Sequence, residues 1–200
     1  MKKRFVASVV IVLAAAIPAC GKGGYYGTVV EQHVALLKSD KVDERSNAAW
    51  SLGELGDKAI PAVPALIAAL SDPAAEVRAQ AAGALGSIEK GAVSAVPDLV
   101  TTLEDEDEQV RASAASSLGA IGPPEALVAV PSLLITLSDP EAEVRSFSAW
   151  ALGQMGPDRA EALRPALIKA MEDSDSEVGR AAGAAILKLQ GQSLPATTRR

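Results

Sequence analysis

Along most of the chain, apolar residues recur three and four positions apart. In one set of segments they fall at i, i+3, i+4 and i+7: Val63, Leu66, Ile67, Leu70; Val96, Leu99, Val100, Leu103; and Val130, Leu133, Leu134, Leu137. That spacing lays one apolar stripe along an amphipathic helix, here called helix A. Pro64, Pro97, Pro131 and Pro165 fall in its expected first turn, where a missing N–H costs little. A polar turn follows, carrying Asp72, Asp105, Asp139 or Asp173. Each aspartate is placed to accept from the free N–H groups at the start of a second helix, B. In its clearest copy, helix B buries Val77, Ala81, Ala84, Leu85 and Ile88, and Gly56, Gly122 and Gly156 supply stops after it.

The pattern is periodic on a larger scale. The phrase SDPAAEVRAQAAGALG, ending at Gly86, returns as EDEDEQVRASAASSLG ending at Gly119 and as SDPEAEVRSFSAWALG ending at Gly153. Worn copies end at Gly53 and Leu187. Aligned, they place Arg45, Arg78, Arg111, Arg145 and Gly179 in one column, at steps of 33, 33, 34 and 34 residues. A repeat of this length predicts an all-α solenoid of five two-helix units sharing one core. The units run over about 28–59, 60–91, 92–124, 125–159 and 160–191. Thr28-Val29-Val30-Glu31 reads as a capping box opening the first unit. The last unit has lost its column arginine and late glycine, as a terminal repeat with one face in water can. Residues 192–200 read as a disordered tail; their LPATT lacks the final glycine and following apolar segment of a sortase signal.

The first residues follow a different pattern. Met1–Arg4 is a basic stretch and Phe5–Ile17 an apolar run of thirteen, the length of a signal-peptide core and short for a membrane span. It ends in Ile17-Pro18-Ala19-Cys20, which resembles a bacterial lipobox, with proline at −2 as the departure. The resemblance implies a signal peptide over 1–19 and a lipidated Cys20, followed by a flexible tether over 20–27. Gly21 after the cysteine resembles outer-membrane sorting in a Gram-negative cell. The alternatives are an ordinary secretory peptide with an incidental cysteine, or an uncleaved anchor.

Composition and charge narrow the function. Aromatic residues make up 3% of the chain, and Cys20 is the one cysteine, so no intramolecular disulfide forms. The formal charge is −6, and −9 without Lys2, Lys3 and Arg4. A basic stripe for nucleic acid is missing. His33, the sole histidine, occupies a helix-A core column and has no partner for a metal pair. The acidic run Glu104–Glu108 and its echo Glu172, Asp173, Asp175 and Glu177 suit the start of helix B better than a calcium loop. No residue pair forms a recognisable nucleophile and base. No metal or other cofactor is expected.

The pattern D-x₄-VR-x₂-AA-x-ALG-x-IG after a P-x-L-x₃-L helix resembles short HEAT-like repeats of the phycobilisome-lyase type. It covers about 160 of the 200 residues. The resemblance implies a right-handed α-solenoid with helix A outside and helix B lining a concave surface. It also implies that Asp72, Asp105 and Asp139 form a ladder with Arg78, Arg111 and Arg145, a structural role. Related enzymes fit poorly: deoxyhypusine hydroxylase needs several histidines, and HEAT-like DNA glycosylases need a basic groove. A bilin lyase is hard to reconcile with an exported lipoprotein.

Positions one, two, five and nine after the column arginine point away from the helix-B core. They include Asn47, Trp50, Gln80, Phe147, Trp150 and Gln154. Trp50 and Trp150, the only tryptophans, share a column three repeats apart, about 25–30 Å along the groove. Such side chains serve as interface anchors; packing onto a neighbouring helix B is the alternative. The expectation is a non-enzymatic scaffold, tethered to a bacterial envelope, that binds a protein on its concave face. An enzyme-accessory factor and a structural spacer are the rivals.

Overall fold

A computed structural model of the chain describes residues 22–192, which are helical with no strand among them. The expected signal peptide, Cys20 and the segment Ser193–Arg200 lie outside the described residues. Ten α-helices follow one another: α1 (Lys22–Leu36), α2 (Val42–Glu54), α3 (Val63–Ala69), α4 (Ala75–Ile88) and α5 (Val96–Thr102) come first. Then come α6 (Glu108–Ile121), α7 (Val130–Thr136), α8 (Ala142–Gly153), α9 (Ala160–Ala170) and α10 (Ser176–Leu189). Odd-numbered helices are the A helices and even-numbered ones the B helices, giving five A–B pairs in an α-solenoid.

The apolar stripes become one continuous core. Val77, Ala81, Ala84, Leu85 and Ile88 on α4 are buried, as are Val63, Leu66, Leu99 and Leu133 on the A helices. Each B helix packs directly on the next, from α2 through α10. Successive A helices meet through short 3-10 segments, Gly56–Ala62, Glu89–Ala95 and Glu125–Ala129. The tightly spaced B row therefore lies on the inside of the curve.

A glycine column makes the tight B row possible. A Cβ on Gly53, Gly86, Gly119 or Gly153 would come within 3.0 Å of the Cα of Ala84, Ser117, Ala151 or Ala185 on the following B helix. Leu187 replaces glycine in the last copy, where no further described helix packs.

The ladder is bidentate and runs forward along the chain. Arg45 donates to both carboxylate oxygens of Asp72 at 2.6 and 2.8 Å. Arg78 does the same to Asp105, Arg111 to Asp139 and Arg145 to Asp173, at 2.7–2.9 Å. Each arginine also donates to a carbonyl of its own A–B turn: Ser39, Asp72, Asp105 and Asp139. One guanidinium thus fixes its own turn and holds the next repeat. The geometry is the planar fork that lysine cannot supply. Arg45 and Asp173 extend the ladder at either end beyond the six residues expected.

The ladder aspartates are held below the usual carboxylate range. For Asp72 the Arg45 hydrogen bonds are the main cause, and for Asp173 those of Arg145. For Asp105 and Asp139 burial pulls upward, and the bonds from Arg78 and Arg111 together with backbone N–H groups outweigh it.

Four local expectations are corrected. The chain is helical from Lys22, so residues 22–27 are not a flexible tether; the Lys58 ammonium lies 4.0 Å from the Tyr26 ring centroid and ties this end to the 3-10 segment after α2. Thr28 is consequently inside α1 rather than at its start. The ladder aspartates accept from the N–H two residues on (Ala74, Asp107, Glu141, Asp175), ahead of the B helices rather than in their first turns. Side-chain caps come instead from Asp107 and Asp175. Finally, Pro165 is the sixth residue of α9, because the 3-10 segment before it shrinks to Pro157–Arg159. Pro64, Pro97 and Pro131 sit at the starts of α3, α5 and α7.

Candidate functional site

The exposed side of the B row carries three open pockets in succession. The first, of about 220 Å³, is lined by Trp50, Glu54, Gln80, Gly83 and Ser87. The central one, about 350 Å³, has Ser113, Ser116, Ala120 and Gly83 on its walls, with Phe147 and Glu143 from α8. The last, about 560 Å³, lies between α8 and α10 and is walled by Trp150, Gln154, Ala184, Ala185 and Lys188. Small side chains in the middle and an indole toward each end shape the groove.

The two indoles are not equivalent. Trp50 is 54% exposed and rises beside Gly83 and Ala84. Trp150 is 38% exposed, and its ring lies over Gly119 so closely that a Cβ there would meet it at 2.4 Å. Trp150 therefore packs on the preceding B helix with one side and faces the last pocket with another. Phe147 is half-buried against the core and contributes only part of its ring to the central pocket.

Polar residues bridge the groove between repeats. Gln109 donates to Glu143 at 2.7 Å, and Lys188 donates to Gln154 at the rim of the Trp150 pocket. Gln80 sits in the Trp50 pocket, while Asn47 is exposed on α2 and is not among the residues lining these pockets. The position directly after the arginine differs between repeats. Ser46 is buried and donates to Glu76 on the next B helix at 2.9 Å, whereas Ala112, though buried, lines the central pocket. In the first repeat, an angle on an isolated helix therefore misplaces it.

His33 is half-buried, with Nδ1 2.8 Å from the Val29 carbonyl. Among the described residues no cluster of His, Cys, Asp or Glu is arranged to hold a metal ion. No described helix is long and apolar enough to cross a membrane.

A second apolar feature escaped the sequence reading. On the outer row Val128 is 63% exposed and Ile135 73%, and Ile168 on α9 and Met171 just after it are about half exposed. The signal was a departure within a column: Ile135 stands where other repeats hold Ala68, Thr101 and Lys169.

The model for HEAT repeats matches residues 63–130 and 130–197, and that for the PBS lyase HEAT-like repeat matches 44–72. No curated protein matches. Among solved structures, the complex of CpcE and CpcF of phycocyanin lyase from Nostoc sp. PCC7120 is similar at 30% identity and a TM-score of 0.70. The match covers 92% of this chain and 71% of that one. An engineered protein is similar at 28% identity over 86% of both chains, TM-score 0.66. The Escherichia coli protein YibA shares the fold at 22% identity, TM-score 0.60, over 90% of this chain and 66% of that one.

Proposed function

This chain belongs to the HEAT repeat family, and we propose that it is a non-enzymatic scaffold recognising a partner protein on the concave face of its B helices. The supporting observation is the groove itself: an exposed Trp50, a half-exposed Trp150 and three open pockets in a row that runs from the first past the second. Apolar anchors separated by small residues suit a helix or extended segment laid along the groove. The anchor on the other side of the proposal is Cys20. Lipidated there, the chain is held on a bacterial membrane, in the outer membrane facing the periplasm, with two or three acyl chains supplying stable attachment.

The test compares crosslinked capture from native membranes by wild type and by a Trp50→Ala, Trp150→Ala variant with unchanged helical content. Phe147 stays in place because it packs on the core. Specific loss of one captured protein from the variant is the expected result. Equal capture by both removes recognition from the groove.

One second reading has an observation behind it. The complex of CpcE and CpcF of phycocyanin lyase is similar at 30% identity, which favours an accessory role in chromophore attachment. That reading predicts a visible absorbance band in the purified protein or on incubation with a bilin.

A further inference from the structure

The charged side chains along the groove are sorted by sign. Among the described residues, the first pocket is lined by one of them, Glu54, the central pocket by Glu143 and the last by Lys188. Acid, acid and base thus follow one another from α2 to α10. The ninth position after the column arginine keeps the same order in the sequence: Glu54, Ser87, Ala120, Gln154 and Lys188. All three charged residues are exposed. Their partners within the described residues are neutral where they have any: Glu143 accepts from the Gln109 amide, and Lys188 donates to that of Gln154. Each charge therefore still faces the groove. Lys188 also runs against its surroundings, since residues 22–192 hold 14 Lys and Arg against 25 Asp and Glu, a formal −11.

The floor suits an extended occupant. Gln80, Ser87, Ser113 and Ser116 line the first two pockets, and none of these side chains is hydrogen-bonded within the described residues. A helix satisfies its own backbone, whereas an extended segment brings free N–H and C=O groups to such side chains. Gly83 and Ser87 wall both pockets, so the floor runs on from one to the other.

We propose that the groove takes an extended peptide segment of split charge, with its basic part over Glu54 and Glu143 and a carboxylate at Lys188. Apolar residues of the segment rest on Trp50 and Trp150. The inference rests on the reading of the groove as a protein-binding face and adds the chemistry of the partner. Four steps of about 8–10 Å separate α2 from α10, about 32–40 Å in all. An extended chain covers that distance in about ten to twelve residues. Exposed charges at such a site select and orient a partner more than they tighten it. A segment of one sign meets repulsion at one end of the groove, and a split segment laid in reverse meets it at both.

The test selects phage-displayed random peptides of about twelve residues on the immobilised whole chain. One selected peptide is then titrated against wild type and Lys188→Glu at low salt. Selected peptides should carry Lys or Arg in one half and Asp or Glu in the other. Lys188→Glu should bind the peptide on the order of tenfold more weakly, a loss that fades in high salt. Replacing the peptide's acidic residues with lysine should restore binding to Lys188→Glu, which also shows that the variant is folded. Peptides of a single sign, or an acidic half indifferent to Lys188→Glu, overturn the split charge. If Trp50→Ala, Trp150→Ala still weakens those peptides, the protein-binding groove survives that result. Binding indifferent to both tryptophans, or no selected peptide at all, overturns the groove reading together with the proposal.

Discussion

Position 89 holds a glutamate where three other repeats hold glycine. Gly56, Gly122 and Gly156 adopt positive φ after their B helices, and Glu89 does so too, at φ +52°, ψ −127°. That region is costly for a residue with a Cβ, by about 1–3 kcal/mol, and glycine's extra chain entropy returns about 0.5–1 of it. Glu89→Gly is therefore expected to raise stability by about 1 kcal/mol in urea unfolding; an unchanged or lower midpoint would contradict the strain. Gly119 and Gly83 form an opposite pair. A Cβ on Gly119 strikes Trp150 and Ala151, whereas one on Gly83 meets nothing within 4 Å. Gly119→Ala is expected to cost about 1–3 kcal/mol by overpacking, and Gly83→Ala to be neutral or stabilising by up to about 1. Gly119 belongs to the recurring column with Gly53, Gly86 and Gly153, whereas Gly83 falls in the variable column of Trp50 and Trp150. The repeat thus separates the two glycines, but the distance to the next B helix that explains the difference is not in the periodicity.

At the scale of elements, the ladder decides how repeats are held together. Truncating one member strands its partner at a side chain only 8–14% exposed. Asp139→Asn is expected to destabilise by about 2–3 kcal/mol, below the full cost of breaking a buried pair because a solvent edge remains. The pH dependence has a definite sign. All four aspartates titrate lower in the folded chain than their ordinary value. Their stabilisation is thus fully present above the unfolded carboxylate pKa, about 4, and is lost as pH falls through the lowered folded values. Melting temperature should hold between pH 7 and 5 and drop below about 4, with a shallower drop in Asp139→Asn. A drop already complete at pH 5 would contradict this. The columns of Arg and Asp were legible because they repeat. Their forward direction, Arg45 to Asp72 and onward, was not, since sequence spacing does not say which neighbour a side chain reaches. Helix starts were the least legible: Lys22–Gly27 is rich in glycine, yet it forms the start of α1.

Across the described residues, one core links five A–B pairs, and two faces carry exposed apolar side chains. The inner face offers Trp50, Trp150 and the three pockets along the groove; the outer face offers Val128 and Ile135. Repeat phase was enough to put both tryptophans on the inner face. It could not separate an indole that packs from one that stands free, because that depends on the glycine beneath the ring. The most direct measurement places a photo-crosslinking amino acid at Ser113, in the central pocket, and separately at Ile135 on the outer face, in otherwise unaltered chain on native membranes. Recognition by the concave face predicts one protein adduct at Ser113 and none at Ile135. An adduct confined to Ile135, or no adduct at Ser113, would contradict it.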